Sequence, residues 1–187
     1  MKIRLIRYKS VKSTNDIAIK LIKKKKFNPV LISSENQSRG RGTMGKKWIS
    51  LKGNLFLSIY FEINQKRINF KQFAVINALV LRSEISKFIE KKIKIKWPND
   101  LLFDKKKICG ILQEIIYLNQ KNFIVIGIGL NTNSAPNNKS FLSTSLKNIT
   151  DRRVDNNKIL QRIKNRYEKL LKEIKELSFL ELKKKYK

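Results

Sequence analysis

Residues 107–130, KICGILQEIIYLNQKNFIVIGIGL, contain two apolar stretches joined by a short polar segment. The stretches 107–118 and 122–130 have the length and the β-branched content of strands. The segment 119–121 (NQK) between them is typical of a hairpin turn. This region therefore predicts two neighbouring antiparallel strands, and the rest of the chain adds elements on either side of them.

Alternating or apolar stretches predict further strands at KIRLIRY (2–8), PVLISSE (29–35), NLFLSIYF (54–61), KIKIKW (92–97) and DLLF (100–103). The stretch 48–50 (WIS) predicts one more strand, paired with 54–61 around the Lys52-Gly53 turn. Capping residues at 13–16 and helical spacing predict helices at 17–22, 70–89, 156–173 and 175–186. This order predicts an α+β fold, in which a mixed, mainly antiparallel β-sheet has helices packed mostly on one face.

Composition excludes several kinds of site. The 187 residues include no histidine, so Ser-His-Asp and Cys-His nucleophilic pairs, zincin motifs and His-ligated metals are excluded. Cys109 is the one cysteine, which excludes an internal disulfide and a cysteine zinc cluster, and its setting is expected to be a reducing cytoplasm. The length and a hydrophobic content of 41% predict one folded domain.

The net charge of +29, from 43 basic and 14 acidic residues, is compatible with a nucleic-acid partner. However, lysine is abundant along the whole chain, and lysine runs near element ends are typical of solvated positions. No helix-turn-helix signature is found, so specific DNA binding is not expected, whereas an acidic protein partner is. No apolar run approaches the roughly 20 residues of a membrane span, and no secretory signal is seen.

The segment GRGTMG (40–45) matches the pattern G-x-G-x-x-G. A dinucleotide-binding loop requires a helix directly after it, but this loop leads to Trp48 and a predicted strand. A protein-kinase loop requires HRD and DFG motifs, which the chain lacks. The glycines and the nearby cations therefore favour an anion-binding loop over a simple surface turn. These cations are Arg39, Arg41, Lys46 and Lys47.

Two later segments carry polar groups at strand ends. In KWPND (96–100), Asn99 and Asp100 follow Pro98, and Asp100 could hold Mg²⁺ against phosphates. The same segment is also typical of a structural turn with a packed Trp97. Lys107 stands before a glycine-interrupted strand, where it could neutralise phosphate charge or simply be solvated.

The glycines of the central stretches predict close approach of a ligand. Gly110 interrupts one predicted strand, and Gly127 and Gly129 leave room for something flat beside the other. Asn131 follows with an amide that can donate and accept hydrogen bonds.

Taken in order, these segments resemble the biotin–protein ligase family, over about residues 5–186. The matching segments are STN (13–15), QSRGRGTMGKKW (37–48), GNLFLS (53–58), KWPND (96–100), KKICGILQE (106–114), GIGLN (127–131) and TSL (144–146). The resemblance implies the class II synthetase-like catalytic domain of biotin and lipoate ligases, which agrees with the fold class predicted above.

The resemblance also implies a reaction. Biotin and ATP, with Mg²⁺, would give biotinoyl-5′-adenylate and pyrophosphate, and a lysine of a biotin carboxyl carrier domain would then take the biotin. The carrier would be the acidic partner, and a homodimer is compatible with the resemblance. Positioning and charge neutralisation suit a chain without histidine.

Site residues follow from the same resemblance. Lys107 and Arg41 are implied as the catalytic residues. The implied biotin-binding residues are Ser13, Thr14, Asn15, Gln37, Arg41, Gly42, Thr43, Trp48, Lys107, Gly110 and Gly129. The implied ATP or adenylate-binding residues are Arg39, Lys46, Trp48, Asn99, Asp100, Lys107 and Asn131, and Asp100 is the candidate for Mg²⁺.

Three departures from the family pattern bear on function. The family loop commonly reads GRGRxGRxW, and Thr43 and Lys46 stand where it has its second and third arginines. Only 12 residues precede STN, which predicts no N-terminal helix-turn-helix, and the chain stops at Lys187, which predicts no C-terminal SH3-like domain. Residues 1–187 are therefore expected to form a single catalytic domain.

Three alternatives remain at this point. A lipoate–protein ligase shares the fold and the adenylate route. A basic nucleic-acid-binding module would explain the charge, and a degenerate ligase would bind biotin with slow turnover.

Overall fold

Seven strands form one sheet in the structure, a computed structural model that describes residues 1–89, 92–137 and 141–187. The strands are β1 (Arg4–Val11), β2 (Val30–Gln37), β3 (Leu55–Ile63), β4 (Lys94–Lys96), β5 (Asp100–Phe103), β6 (Lys106–Leu118) and β7 (Lys121–Leu130). Their spatial order is β1-β2-β3-β7-β6-β5-β4. Only β1 and β2 pair in parallel among these strands, so the predicted mixed, mainly antiparallel sheet is confirmed.

The predicted hairpin joins β6 and β7. Pairing runs from Cys109 opposite Leu130 to Leu118 opposite Lys121. Asn119 and Gln120 both have positive φ, 51° and 59°, as the two-residue turns that match strand twist require. The turn is therefore one residue shorter than the predicted segment 119–121.

The predicted strand at 48–50 is wrong, because those residues lie in a loop. The Trp48 N–H donates to the carbonyl of Gly40 at 2.9 Å, which folds the chain back on the glycine segment instead of along β3. A single 3-10 turn, Thr43–Gly45, lies within this loop. The alternation of polar and apolar residues in 48–50 could not reveal that the Trp48 side chain packs on distant strands of the sheet.

Helices cover the two faces of the sheet unequally. The helices are α1 (Thr14–Lys23), α2 (Phe70–Ile85), α3 (Leu146–Thr150), α4 (Asn156–Glu176) and α5 (Phe179–Tyr186). α2, α4 and α5 share one buried cluster with sheet residues such as Ile59 and Ile126. α1 packs on the other face, against Tyr60 and Val125. The prediction of helices mostly on one face is confirmed, and the short helix α3 is an addition to it.

Successive residues of each strand point to opposite faces, and this separates the core from the second face. Along β7, Ile124, Ile126 and Ile128 belong to the core under the large helices. Val125 packs toward α1, and Gly127 lies next to the α1 residue Asn15. Within the described ranges, no helix is long and apolar enough to cross a membrane.

A buried carboxylate fastens α5 to α4. Glu173 accepts a hydrogen bond from the Tyr186 hydroxyl and lies 3.0 Å from Lys185 Nζ. The Arg166 guanidinium stacks 4.0 Å from the centre of the Tyr186 ring. Burial opposes ionisation of Glu173, but the Tyr186 and Lys185 hydrogen bonds and the Arg166 charge outweigh it, so the pKa of Glu173 lies below its usual range.

Because this pKa is lowered, Glu173 should contribute stability above its ordinary pKa and lose that contribution as the pH falls. Glu173→Gln should lower the free energy of unfolding at pH 7 by about 1–2 kcal/mol and flatten the acid limb of the stability curve. Urea unfolding from pH 7 to pH 3 measures this. Glu176→Gln, at an exposed position of the same helix end, is the control. Equal acid limbs for wild type and Glu173→Gln would contradict the prediction.

Candidate active site

A cavity of about 790 Å³ opens on the α1 face of the sheet. Its walls come from the start of α1, the loop 38–48 (the glycine–arginine loop), the β4–β5 turn, β6 and β7. Fifteen of the sixteen residues predicted for the site line it: Ser13, Thr14, Asn15, Gln37, Arg41, Gly42, Thr43, Lys46, Trp48, Asn99, Asp100, Lys107, Gly110, Gly129 and Asn131. Arg39 does not, because it is exposed and its N–H bonds the Lys12 carbonyl at 2.8 Å, beside β1. Segments far apart in sequence thus meet in one place.

One end of the cavity is a buried polar network at the start of α1. The Thr14 N–H donates to Gln37 Oε1 at 2.8 Å. Ser58 Oγ lies 2.7 Å from Thr14 Oγ1 and 2.5 Å from Asn15 Oδ1. Thr14, Asn15 and Ser58 are each at most 3% exposed, so their orientations are fixed by these contacts.

Ser58 had no role in the sequence prediction. It is the single small polar residue within an apolar strand, LFLSIYF, and it lies opposite Gly127 in the β3–β7 pairing. That isolated hydroxyl in an otherwise buried strand is the signal that could have identified it.

In this structure, Gly110 and Gly129 receive a protein side chain. These two residues are opposite each other on β6 and β7. A Cβ at Gly129 would lie 2.3 Å from Trp48 Cε2, and one at Gly110 would lie 2.6 Å from Trp48 Cζ3. The flat group that they accommodate is therefore the indole ring.

The third strand glycine serves the polar end of the cavity. A Cβ at Gly127 would lie 2.4 Å from Asn15 Oδ1. Any larger residue there would displace the amide that Ser58 holds. The three glycines together therefore position Trp48 and Asn15 on the sheet.

Lys107 forms an ion pair inside the cavity. Its Nζ lies 2.7 Å from Asp100 Oδ1, and the two side chains are 23% and 18% exposed. The same ammonium lies 5.4 Å from the centre of the Trp48 ring, within the range of a cation–π contact. Backbone hydrogen bonds with Leu142 and Thr144 hold Lys107 at the cavity wall.

Arg41 lines the same cavity as Lys107, but its guanidinium is already paired. It makes two hydrogen bonds to Glu114, at 3.0 and 2.9 Å, and lies 3.0 Å from Asp16 Oδ1. Neither Glu114 nor Asp16 is among the residues predicted for the site. Glu114 is the last residue of the KKICGILQE segment, and only the fold shows that it faces the loop.

Thr43 contacts the β4–β5 turn. Its hydroxyl oxygen accepts a hydrogen bond from Asn99 Nδ2 at 3.3 Å. The glycine–arginine loop is therefore linked to the KWPND segment by neutral groups at the position where an arginine is common in the family pattern.

Apart from Asp100 Oδ1, which is paired with Lys107, two buried polar atoms in the wall have no hydrogen-bond partner among the described residues: Trp48 Nε1 and Asn131 Oδ1. The Asn131 amide is oriented, because Nδ2 donates to the Thr144 carbonyl at 3.2 Å. Buried donors and acceptors normally have partners, so this pair fits a ligand that offers one acceptor and one donor.

The charge of the wall is mainly positive. Lys46, Lys47, Lys96 and Lys105 line it together with Lys107, and Asp100 is the one acidic residue among the described lining residues. A cluster of cations around a cleft favours a ligand with several negative charges. In the part of the chain that is described, no three carboxylate or cysteine side chains come together as metal ligands.

Comparisons with known proteins identify similar sequences and structures. The model of the Biotin/lipoate A/B protein ligase family matches residues 8–131. The Bifunctional ligase/repressor BirA of Bacillus subtilis is 29% identical over 171 residues, and that of Escherichia coli is 33% identical over 123 residues. These matches cover 88% and 65% of this chain but only 53% and 38% of the relatives. The chain therefore spans about half the length of the Bacillus subtilis relative, or less in the case of the Escherichia coli one.

Solved structures are also similar. The biotin protein ligase of Aquifex aeolicus, in complex with biotin and ATP, superposes with a TM-score of 0.79 at 32% identity. The match covers 98% of this chain and 76% of that one. Since the family model spans well over half of the sequence and the fold agrees with it, the chain belongs to the biotin/lipoate A/B protein ligase family.

Proposed function

We propose that this protein activates biotin with ATP and transfers it to a lysine of an acidic carrier domain. The observation that carries the proposal is a single cavity in which a buried polar end continues into a cationic wall around Lys107. The polar end suits the biotin ring, and the cationic wall suits the biotin carboxylate and the phosphates of ATP. The similarity to biotin ligases supports this assignment.

Biotin would bind at the polar end. Its ureido ring has two N–H donors and one carbonyl acceptor, and such a ring needs fixed partners when buried. The network of Thr14, Asn15 and Ser58 offers hydroxyl and amide groups, and Gln37 fixes Thr14. We assign Ser13 and Gly42 to the walls of the same subsite because both line the cavity.

Lys107 would carry the electrostatic catalysis. A biotin carboxylate oxygen attacks the α-phosphorus of ATP, the new C–O–P linkage forms, and the bond to pyrophosphate breaks. Negative charge grows on the phosphate oxygens in this step, and an ammonium placed there stabilises it. Lys107 would exchange its contact with Asp100 for these oxygens, with Lys46 beside the polyphosphate.

The adenine would lie near Trp48 and Asn131. Asn131 Oδ1 is oriented and unpartnered among the described residues, so it can accept a hydrogen bond from the exocyclic amine of adenine. The Trp48 Nε1–H can donate to the nucleotide.

Mg²⁺ would enter as the ATP complex. The ion usually takes one or two carboxylates together with phosphate oxygens and water, and Asp100 offers one carboxylate at the cationic end. Asn99 lies beside it. The bound ion would neutralise phosphate charge, and Asp100 would orient it.

Transfer needs an uncharged amine from the acceptor. The carrier lysine attacks the acyl carbon of the adenylate, an amide bond forms, AMP leaves, and the amine loses a proton to solvent. The net charge of +29 favours an acidic carrier, because complementary charge speeds encounter.

Lipoate is the competing substrate, since the family includes ligases of both kinds. The dithiolane ring of lipoate has no N–H or carbonyl group. The hydroxyls and amides at the polar end would gain little from it, and polar groups buried against an apolar ligand cost free energy. This difference favours biotin.

The decisive experiment is ATP–pyrophosphate exchange with biotin or lipoate, followed by mass spectrometry of an acidic biotin carrier domain incubated with the protein, biotin and MgATP. We expect biotin-dependent exchange and a mass increase at one carrier lysine. Exchange with lipoate alone would assign the protein to the other branch. No exchange with either acid would refute the proposal.

Lys107→Ala should reduce biotin-dependent exchange by roughly 100-fold or more, because the developing phosphate charge loses its ammonium. Lys106→Ala is the matched control, since Lys106 is the neighbouring exposed residue on β6 and does not line the cavity. Circular dichroism melting checks that both variants fold. Near-normal exchange in Lys107→Ala would remove this assignment.

Thr43→Arg should slow the release of pre-formed adenylate roughly tenfold, because a guanidinium can make two charge-assisted hydrogen bonds where a hydroxyl makes one neutral bond. Stopped-flow or filter-binding release assays measure the rate. Met44→Arg, at a fully exposed neighbouring position, adds the same charge without facing the cavity. Equal release rates for wild type and Thr43→Arg would show that Thr43 does not weaken retention.

A further inference from the structure

We propose that Glu114 is a positioning residue that ties the glycine–arginine loop to the polar end of the cavity. Its carboxylate makes contacts in two directions. Two of its hydrogen bonds go to Arg41 of the loop, at 3.0 and 2.9 Å. A third comes from Asn15 Nδ2 of α1, at 2.7 Å. The Glu114 side chain on β6 thus contacts one residue of the loop and one residue of α1.

The contact between Glu114 and Arg41 consists of two charge-assisted hydrogen bonds, which are stronger than neutral ones. Two parallel hydrogen bonds between a guanidinium and a carboxylate fix both distance and orientation. Asp16, in the first turn of α1, adds a second carboxylate at 3.0 Å from the same guanidinium. Arg41 is therefore an anchor of the loop in this structure, and its charge is balanced.

The contact to Asn15 fixes the orientation of an amide. Glu114 accepts from Nδ2, and Ser58 contacts Oδ1 on the other side. With both ends engaged, the amide cannot flip without losing two hydrogen bonds. The position of Glu114 opposite Val125 on β7 places it on the same face as Gly127, which receives Asn15.

The consequence is a mechanical link between two parts of the site. A loop fastened through Arg41 places Trp48 over Gly110 and Gly129, while the same carboxylate holds the amide next to the biotin ring. This second role rests on the proposed function. The first does not, because it concerns the order of the loop in the ligand-free protein.

Two substitutions separate the two contacts. Glu114→Gln removes the charge that pairs with Arg41 but keeps an oxygen that accepts from Asn15. Glu114→Ala removes both. Glu62→Gln is the matched control, because Glu62 forms an ion pair of similar length, 2.8 Å, with Lys121 on a neighbouring strand and does not line the cavity.

Hydrogen exchange of the ligand-free protein tests the loop. The amides of Gly42, Lys46 and Trp48 bond within the loop, so they report its order. Peptides covering 38–48 should exchange about fivefold faster in both Glu114 variants, and at the wild-type rate in Glu62→Gln. In an Arg41→Gln background, Glu114→Gln should add no further increase. Unchanged exchange in Glu114→Gln, or full additivity in the double variant, would overturn the proposal.

Calorimetric titration with biotin tests the second contact. Affinity should fall about threefold to tenfold more in Glu114→Ala than in Glu114→Gln, since only the former frees the Asn15 amide. Equal affinities would refute this role of Glu114. If the wild-type protein bound no biotin, the proposed function would fail, while the exchange experiment would still decide whether Glu114 orders the loop.

Discussion

The site depends on a small area of the sheet that has no side chains. Gly110, Gly127 and Gly129 of β6 and β7 form this area, and Trp48 and Asn15 lie directly against it. The indole brings the glycine–arginine loop onto the sheet, and the amide brings the start of α1 there. The cavity lies between these two contacts, so its shape is set by packing against backbone rather than by the loop itself.

Charge is distributed unevenly in this fold, and the few acidic groups near the site are consistently paired with cations. Asp100 pairs with Lys107, and Glu114 and Asp16 pair with Arg41. In a chain with a net charge of +29, each such carboxylate places a particular cation at a particular point. The excess of positive charge attracts anions in general, whereas these ion pairs fix the positions of Lys107 and Arg41.

Much of the fold could be predicted from local patterns. The hairpin of β6 and β7, the mainly antiparallel sheet and the large helices follow from runs of apolar residues and their spacing. The loop at Trp48 could not, because its conformation depends on glycines that lie 62 and 81 positions further along the chain. Family segments indicated which residues would meet, but the partners of Arg41 and Asn15 depend on contacts across 73 and 99 positions. Such pairings have no periodic signal in a single sequence.

Adjacent residues along β7 point to opposite faces of the sheet and serve different parts of the structure. Ile126 and Ile128 support the core, whereas Gly127 and Gly129 receive the side chains that shape the cavity. Substitutions at Gly127 and Gly129 would therefore change the shape of the cavity, while the hydrophobic interior stays intact. Inserting one residue would instead shift the register of this strand by one position. A bulky isoleucine would then lie beneath the indole, and a glycine would lie among the helices.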